Sequence, residues 1–483
     1  MYKLLKIIFG ICLSTTAVSQ SIEQLRRTIT EIAAEKEMKF ASIGISVVNT
    51  QTQETVIEYN PYLALAPASA LKIITTATGL LLLGSNFTFE TRIEYDGMLS
   101  NGVISGNLYI RGGGDPTLGV ETPEALLEEW SNIIQSKGIK KIQGQLIADE
   151  RIFDIHPLPN TWIWEDIGNY YGTLCSGLNF QGNEYKLFLK PAGMAGGSVM
   201  VLRTEPEITG LQFYNEMKTG APNSGDNGYI FGAPYSYERS LRGTIPAGVP
   251  IFMIRGAMPD PPFFLVQQLE TTLRKKGISI NGGITTFRLA KLQNKIIRET
   301  TPTLIHSHKS APLAFIVRQT NLESINLYAE AILRIIGKQE KGKGTTENGI
   351  EAILEFWKNK GISSESMVIE DGSGLSRFNA ISAKTFTDIL LKITKEPVYR
   401  DFLNSLPIAG LSGTLRKFGM GSILEGRVFA KTGYMKRARC MIGYLKTKSE
   451  KELAFAIMFN NFQGDIAAAN KRIEKILLSL VNL

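Results

Sequence analysis

The stretch LAPASALKIITTATGLLLLG, residues 65–84, places Ser69 three residues ahead of Lys72, where a proline-marked loop turns into an apolar helix. Spacing of three sets the two side chains on one helical face. The free N–H groups and positive dipole end of a helix start favour negative charge developing at Ser69. A lysine held in apolar surroundings near a second cation loses part of its preference for the charged form and can accept the serine's proton. By itself, S-x-x-K more often describes a serine that caps a helix and a lysine that reaches out to solvent. No other S-x-x-K occurs in the chain, so its surroundings must decide between the two.

With 483 residues, 43% hydrophobic and 20% charged, the chain can build two or three domains with real cores. Its first residues, MYKLLKIIFGICLSTTAVSQ, combine a basic start, an apolar run from Ile7 to Leu13 and small residues at Ala17 and Ser19. This is the pattern of a secretory signal, 1–19, with cleavage near Ser19, and implies export to the periplasm. Ile11 stands where lipid attachment at Cys12 would need a small residue. The net charge of +8 falls to +6 without Lys3 and Lys6. Basic residues are scattered, with no run interleaved with aromatics, so no nucleic-acid partner is expected. Cys175 and Cys440 lie in segments assigned to different domains, so no disulfide is expected. His306 and His308 share one side of a strand without a third ligand, and the only other histidine is His156. Neither a metal nor another cofactor is expected, and a Ser-His-Asp triad has little to draw on.

Outward from the opening stretch, SIGISVVN and ETVIEYN alternate as a strand pair around the turn TQTQ, after the helical IEQLRRTITEIAAEKE. At the far end, RVFAKTGYM, RCMIGYLKTK and ELAFAIMFNN read as three strands ahead of the helix DIAAANKRIEKILLSLV. Each end supplies an antiparallel set that is incomplete alone, and one shared sheet completes both. Between them the texture changes to short strands such as GVISGNLYIRG and YKLFLK, frequent glycines and one clear helix, PPFFLVQQLETTLRKKG. The expectation is an α+β chain: a catalytic domain of residues 20–86 and 299–483, an antiparallel sheet with helices on both sides, split by a mainly-β insertion over 87–298. The terminal ANKRIEKILLSLVNL is amphipathic and reads as packing on the sheet, with no transmembrane span.

A serine-lysine acyl-transfer site needs a polar pair to pass a proton to the leaving amine and hold the substrate amide. It also needs a cationic strand to grip a carboxylate and complete an oxyanion hole. S-x-N occurs at Ser105 to Asn107, Ser279 to Asn281 and Ser324 to Asn326; K-T-G occurs at Lys218 and Lys431. Lys218 reads as part of a polar loop, NEMKTGAPNSGD, whereas Lys431 lies on a sheet strand. Ser324 opens the helical text NLYAEAILRIIG ahead of that strand, while the other S-x-N sites stand in strand-and-turn text. Element context therefore selects Ser324, Asn326 and Lys431.

In this order SALK, SIN and KTG resemble the boxes of the penicillin-binding proteins. Longer matches, GGGDPTL (112–118), DIGNYYG (166–172), TNLESINLYAE, DGSGLSRFN (371–379) and GTLRKF, resemble their low-molecular-mass class C, the D-alanyl-D-alanine carboxypeptidase/endopeptidases. The resemblance implies a β-lactamase/transpeptidase-like fold, peptidoglycan stem peptides as substrate and β-lactam antibiotics as covalent inhibitors. It implies Ser69 as nucleophile, Lys72 as base, Ser324 as proton carrier and Asn326 as the holder of the substrate amide. Lys431 and Thr432 would bind the terminal carboxylate, and the N–H groups of Ser69 and of Tyr434, after Gly433, would form the oxyanion hole. Arg377 matches an arginine near the side-chain pocket, or else packs its loop through a salt bridge. Two departures stand out: Tyr434 replaces a small hydroxyl residue, and Ser412 precedes Gly413 where an acid is more usual.

Two other functions compete. A β-lactamase shares the acylation machinery, and Glu165 could pass for a deacylating glutamate. In class A enzymes, however, the S-x-N box precedes that glutamate, and here it follows. A non-catalytic wall-binding protein would have no need of Lys72 beside Ser69.

Overall fold

The central strand ELAFAIMFN is apolar on both alternating faces, which suits a strand covered by helices on its two sides. The computed structural model describes residues 20–297 and 301–483; the expected signal segment 1–19 lies outside them. Contacts divide the chain into two units. The first comprises the residues up to Asn86, Leu313–Ile325 and Ile350–Leu483, and the second Phe87–Pro312 and Asn326–Gly349.

In the first unit, strands from the two ends of the chain form one antiparallel sheet in the order Thr55–Tyr59, Ser42–Asn49, Glu452–Asn460, Ala438–Lys446, Val428–Met435. Residues alternate between its faces. Ile45 and Val47 look into a core shared with Leu25 and Ile29 of the helix over 20–34 and with Ile473, Ile476 and Leu480 of helix Ile466–Val481. Ser46, between them, turns the other way and hydrogen-bonds Thr387 of helix Ala383–Ile393 at 2.8 Å. On that same helix, the carbonyl of Leu390 accepts from Tyr444 Oη at 2.9 Å. Asp465 caps the C-terminal helix by accepting from Ala468 N at 2.8 Å, and Arg472 ties it to Glu35 at 2.6 Å. Helix Lys72–Leu83 is held within the unit through its threonines. Asn321 of helix Leu313–Glu323 donates to Thr76 at 3.2 Å, and Trp357 of helix Thr346–Asn359 donates to Thr78 at 2.8 Å.

The second unit is rich in short strands. Its largest sheet runs Ile284–Thr286, Leu146–Asp149, Leu108–Arg111, Glu90–Tyr95, Thr303–Lys309. Helices Pro123–Ser136 and Pro261–Lys275 both begin with proline in the first turn and bury Trp130, Ile134, Leu265 and Leu269 in its core. The first of these helices is absent from the sequence reading, although Leu126, Leu127, Trp130 and Ile134 keep helical spacing. The return to the catalytic domain, expected at 299, differs from the observed division. Strand Thr303–Lys309 needs a ladder partner and finds it in Glu90–Tyr95, inside the second unit. The decoy Lys218–Gly220, expected in a loop, is a short strand pairing with Thr244–Pro246. No helix among the described residues is long and apolar enough to cross a membrane.

Candidate active site

Ser69 sits in a 3-10 turn, Ala68–Leu71, that runs directly into helix Lys72–Leu83, rather than in the α-helix expected from the sequence. Neither start is capped by a side chain, and Ala68 is held at φ +47°, a conformation that costs an alanine energy. Lys72 is fully buried, so it does not reach solvent. Its Nζ donates to the carbonyl of Ser373 at 2.7 Å and to Ser69 Oγ at 3.2 Å.

Ser373 is placed by a web centred on Asp371. The Asp371 carboxylate accepts from Gly374 N at 2.8 Å, Ser376 N at 2.7 Å and Asn379 Nδ2 at 2.9 Å. Thr75, one turn beyond Lys72, donates to the Gly372 carbonyl at 2.6 Å. Gly374, at φ +80°, lies so close to the Ser69 turn that a Cβ there would stand 2.0 Å from the Ala68 carbonyl oxygen. The stretch DGSGLSRFN thus presents a backbone acceptor to Lys72. Arg377, at its tip, is exposed.

Strand Val428–Met435 brings the second lysine. Lys431 is fully buried, and its Nζ donates to Ser324 Oγ at 2.9 Å and to the Thr432 carbonyl at 3.0 Å. Burial first, then the positive charges of Lys72 and Arg439, push Lys431 well below the ordinary lysine pKa. Arg439, itself lowered by burial to about 10, donates to the Gly433 carbonyl at 3.3 Å and to Asn470 at 2.7 Å. A Cβ on Gly433 would stand 2.1 Å from the Pro67 carbonyl oxygen, so the strand passes directly against the Ser69 turn. Thr432 bonds Thr414 at 3.0 Å, which gives GTLRKF a place in the site. Ser412 closes its own turn, its Oγ accepting from Ile408 N at 3.0 Å. Tyr434 is 56% exposed at the strand end.

Ser324 does not open a helix, in contrast to the expectation from its sequence context. It stands between helices Leu313–Glu323 and Asn326–Lys341 at φ +61°, the left-handed turn with which helices often end. Asn326 is buried in the second unit, where its Nδ2 donates to the Tyr171 carbonyl at 2.7 Å, within DIGNYYG. Glu165 also belongs to the second unit. Within the first unit, the structure gathers Ser69, Lys72, Ser324, Lys431, Thr432 and Gly433 through hydrogen bonds and close backbone approach. Ser373, Asp371, Thr414 and Arg439 complete this arrangement and were not singled out from sequence. Among the described residues, no group of three or more His, Cys, Asp or Glu could hold a metal. The chemistry on offer is that of a hydroxyl facing a buried amine, with a second hydroxyl on a second buried amine.

The model of the D-Ala-D-Ala carboxypeptidase 3 (S13) family matches residues 25–479. A D-alanyl-D-alanine carboxypeptidase of Actinomadura sp. (strain R39) is 28% identical over 455 residues, covering 92% of this chain and 82% of the relative. A D-alanyl-D-alanine carboxypeptidase of Haemophilus influenzae is 25% identical over 442 residues, with coverage of 89% and 88%. The crystal structure of penicillin binding protein 4 from Haemophilus influenzae shares the fold at a TM-score of 0.80 and 23% identity, covering 96% of this chain and 99% of that one. The chain belongs to the D-Ala-D-Ala carboxypeptidase 3 (S13) family, and is a serine-type carboxypeptidase of the low-molecular-mass class C penicillin-binding group.

Proposed function

We propose that the protein is exported to the periplasm and there hydrolyses the terminal D-Ala-D-Ala bond of peptidoglycan stem peptides through an acyl-Ser69 intermediate. The observation that carries this reading is the buried Lys72 Nζ, 3.2 Å from Ser69 Oγ and aligned by the Ser373 carbonyl at 2.7 Å. Lys72 takes the Ser69 proton as Oγ attacks the penultimate D-Ala carbonyl carbon. The backbone N–H groups of Ser69 and Tyr434 hold the developing oxyanion. Ser324, hydrogen-bonded to Lys431, relays a proton to the departing nitrogen; the C–N bond breaks and D-alanine leaves. Water, deprotonated along the same route, then releases the acyl chain from Ser69. Asn326 holds the substrate amide. Lys431 and Thr432 bind the terminal carboxylate, and the arriving negative charge favours the ammonium form that burial and neighbouring cations disfavour in the free protein. A β-lactam enters by the same attack, its ring amide opening to leave an acyl-enzyme. The relative from Haemophilus influenzae has been crystallised with a β-lactam, which supports this inhibition.

The test is intact-protein mass spectrometry after exposure to benzylpenicillin, with peptide mapping, beside an assay of D-alanine release from a peptide ending in D-Ala-D-Ala. One adduct on Ser69 together with D-alanine release is expected. An adduct on another serine, or none, overturns the reading.

A further inference from the structure

In the second unit, Trp164, Phe213, Tyr214 and Phe231 line a cavity of about 420 Å³ together with Arg239 and Glu238. Two of these rings are costly to leave in water: Trp164 is 54% and Tyr214 69% exposed. Trp164 and Phe231 lie with centroids 6.2 Å apart at an interplanar angle of 37°, and Tyr229 extends the series 6.4 Å beyond Phe231. The result is a run of tilted aromatic faces at the surface of the second unit.

The polar part of the cavity is built in. Arg239 is only 3% exposed. Its Nη1 donates to the carbonyls of Ser236 at 2.6 Å and Glu238 at 3.0 Å, and its Nη2 to that of Ala257 at 3.3 Å. Among the described residues no carboxylate pairs with it, and the buried Tyr185 hydroxyl is the polar group beside it. Gly232 makes room for the guanidinium: a Cβ there would stand 2.5 Å from Arg239 Cδ and Nη1. Ser236, Ser240 and Gln212 add neutral hydrogen-bonding groups at the same cavity. Arg242, the nearby exposed cation, is already engaged by Glu216 at 2.9 Å and by the Phe231 ring.

This chemistry selects its ligand. A pyranose ring offers a face of C–H bonds, slightly positive, that packs on the negative face of an aromatic ring. Its edge of hydroxyl and acetamide groups needs neutral donors and acceptors together with the occasional charged donor. A polyanion would call for several free cations, and an apolar peptide would leave Glu238 and Gln212 unanswered. The volume lies within the roughly 300–1,000 Å³ of small-ligand sites. We propose that this cavity binds a sugar ring of the glycan strand to which the stem peptides are attached. The inference rests on the reading of peptidoglycan as substrate and extends it from peptide to saccharide.

The test uses the full chain and peptide-free glycan strands, prepared by amidase treatment of peptidoglycan, in isothermal titration calorimetry. Benzylpenicillin labelling of Ser69 is followed in parallel. Wild type is expected to bind the strands. Trp164→Ala should weaken binding at least about tenfold, a size typical of removing an aromatic anchor, and Trp164→Phe should restore most of it. Labelling should be unchanged in both variants, which shows that they are folded. Normal labelling without glycan binding by wild type, or equal binding by wild type and Trp164→Ala, overturns the proposal. Glycan binding without labelling would instead sink the serine-lysine reading and leave the saccharide site standing.

Discussion

Lys431 Nζ lies 2.9 Å from Ser324 Oγ, so a hydroxyl from the turn between two helices is held by an amine from the edge of the sheet. Ser324 is kept there by a left-handed backbone at φ +61°, and Lys431 by complete burial. A proton carrier needs this kind of fixed donor and acceptor on one side and a mobile hydroxyl hydrogen on the other.

Ser324→Ala removes the carrier without opening a large cavity, since the residue is only half-buried. Acylation by benzylpenicillin, followed by stopped flow, should fall about 10²–10⁴-fold, the usual contribution of positioned proton transfer. The melting temperature should stay near that of wild type. Unchanged acylation would remove Ser324 from the mechanism.

Gly433→Ala tests the fit of the strand against the Ser69 turn. The added methyl meets the Pro67 carbonyl oxygen at 2.1 Å, a backbone atom that cannot swing aside. The strand must move away from Ser69, taking the neighbouring Tyr434 N–H with it. Labelling by a fluorescent penicillin should drop at least about a hundredfold, as loss of an oxyanion donor does. Labelling within about twofold of wild type would show that the close approach is not needed.

How far these relationships were legible depended on the residue type involved. The five strands of the main sheet could be read because their apolar runs are long and each end of the chain carried an unfinished set. Strand Thr303–Lys309 was assigned to the wrong side of a boundary because TLIHSHK alternates like any strand and carries no mark of its ladder partner. The serine and lysine boxes stand out as side chains at a fixed spacing. The Ser373 acceptor does not, because any residue has a carbonyl; only the fold of the Asp371 loop aims it at Lys72. Arg439 stayed hidden for a similar reason, since its influence on Lys431 passes through burial and charge across neighbouring strands.

Asp371 is a positioning residue. Asp371→Ala leaves the N–H groups of Gly374 and Ser376 and the Asn379 amide without their acceptor in a buried loop. Stability should fall by about 2–4 kcal/mol. Lys72 should lose its alignment as well. A merely structural role predicts that labelling recovers at low temperature, where the variant is folded. The positioning role predicts that the folded variant still labels at least about tenfold more slowly.

Glu150 gives a pH signature to the second unit. Burial raises its carboxyl from 4.5 to about 7, with Asp149 and Asp260 adding to the shift, while the Arg288 N–H opposes it. The folded protein therefore binds this proton more tightly than the unfolded chain. Its favourable contribution is complete below about pH 4.5 and is lost as pH rises through about 7, a swing of about 3 kcal/mol at most. Glu150→Gln has no such titration. Its melting temperature relative to wild type should be higher at pH 8 than at pH 5, as calorimetry would show. A pH-independent difference would mean that Glu150 titrates normally.

The most direct measurement of the central claim is the rate of covalent labelling by a fluorescent penicillin for wild type, Ser69→Ala and Lys72→Ala, with thermal melts alongside. If Lys72 is the base, removing its amine leaves Ser69 at the high pKa of an ordinary hydroxyl, and groups that act as one unit fail together. Ser69→Ala should abolish labelling. Lys72→Ala should slow it by several orders of magnitude while remaining folded at the labelling temperature. A folded Lys72→Ala protein labelled at the wild-type rate would contradict the account.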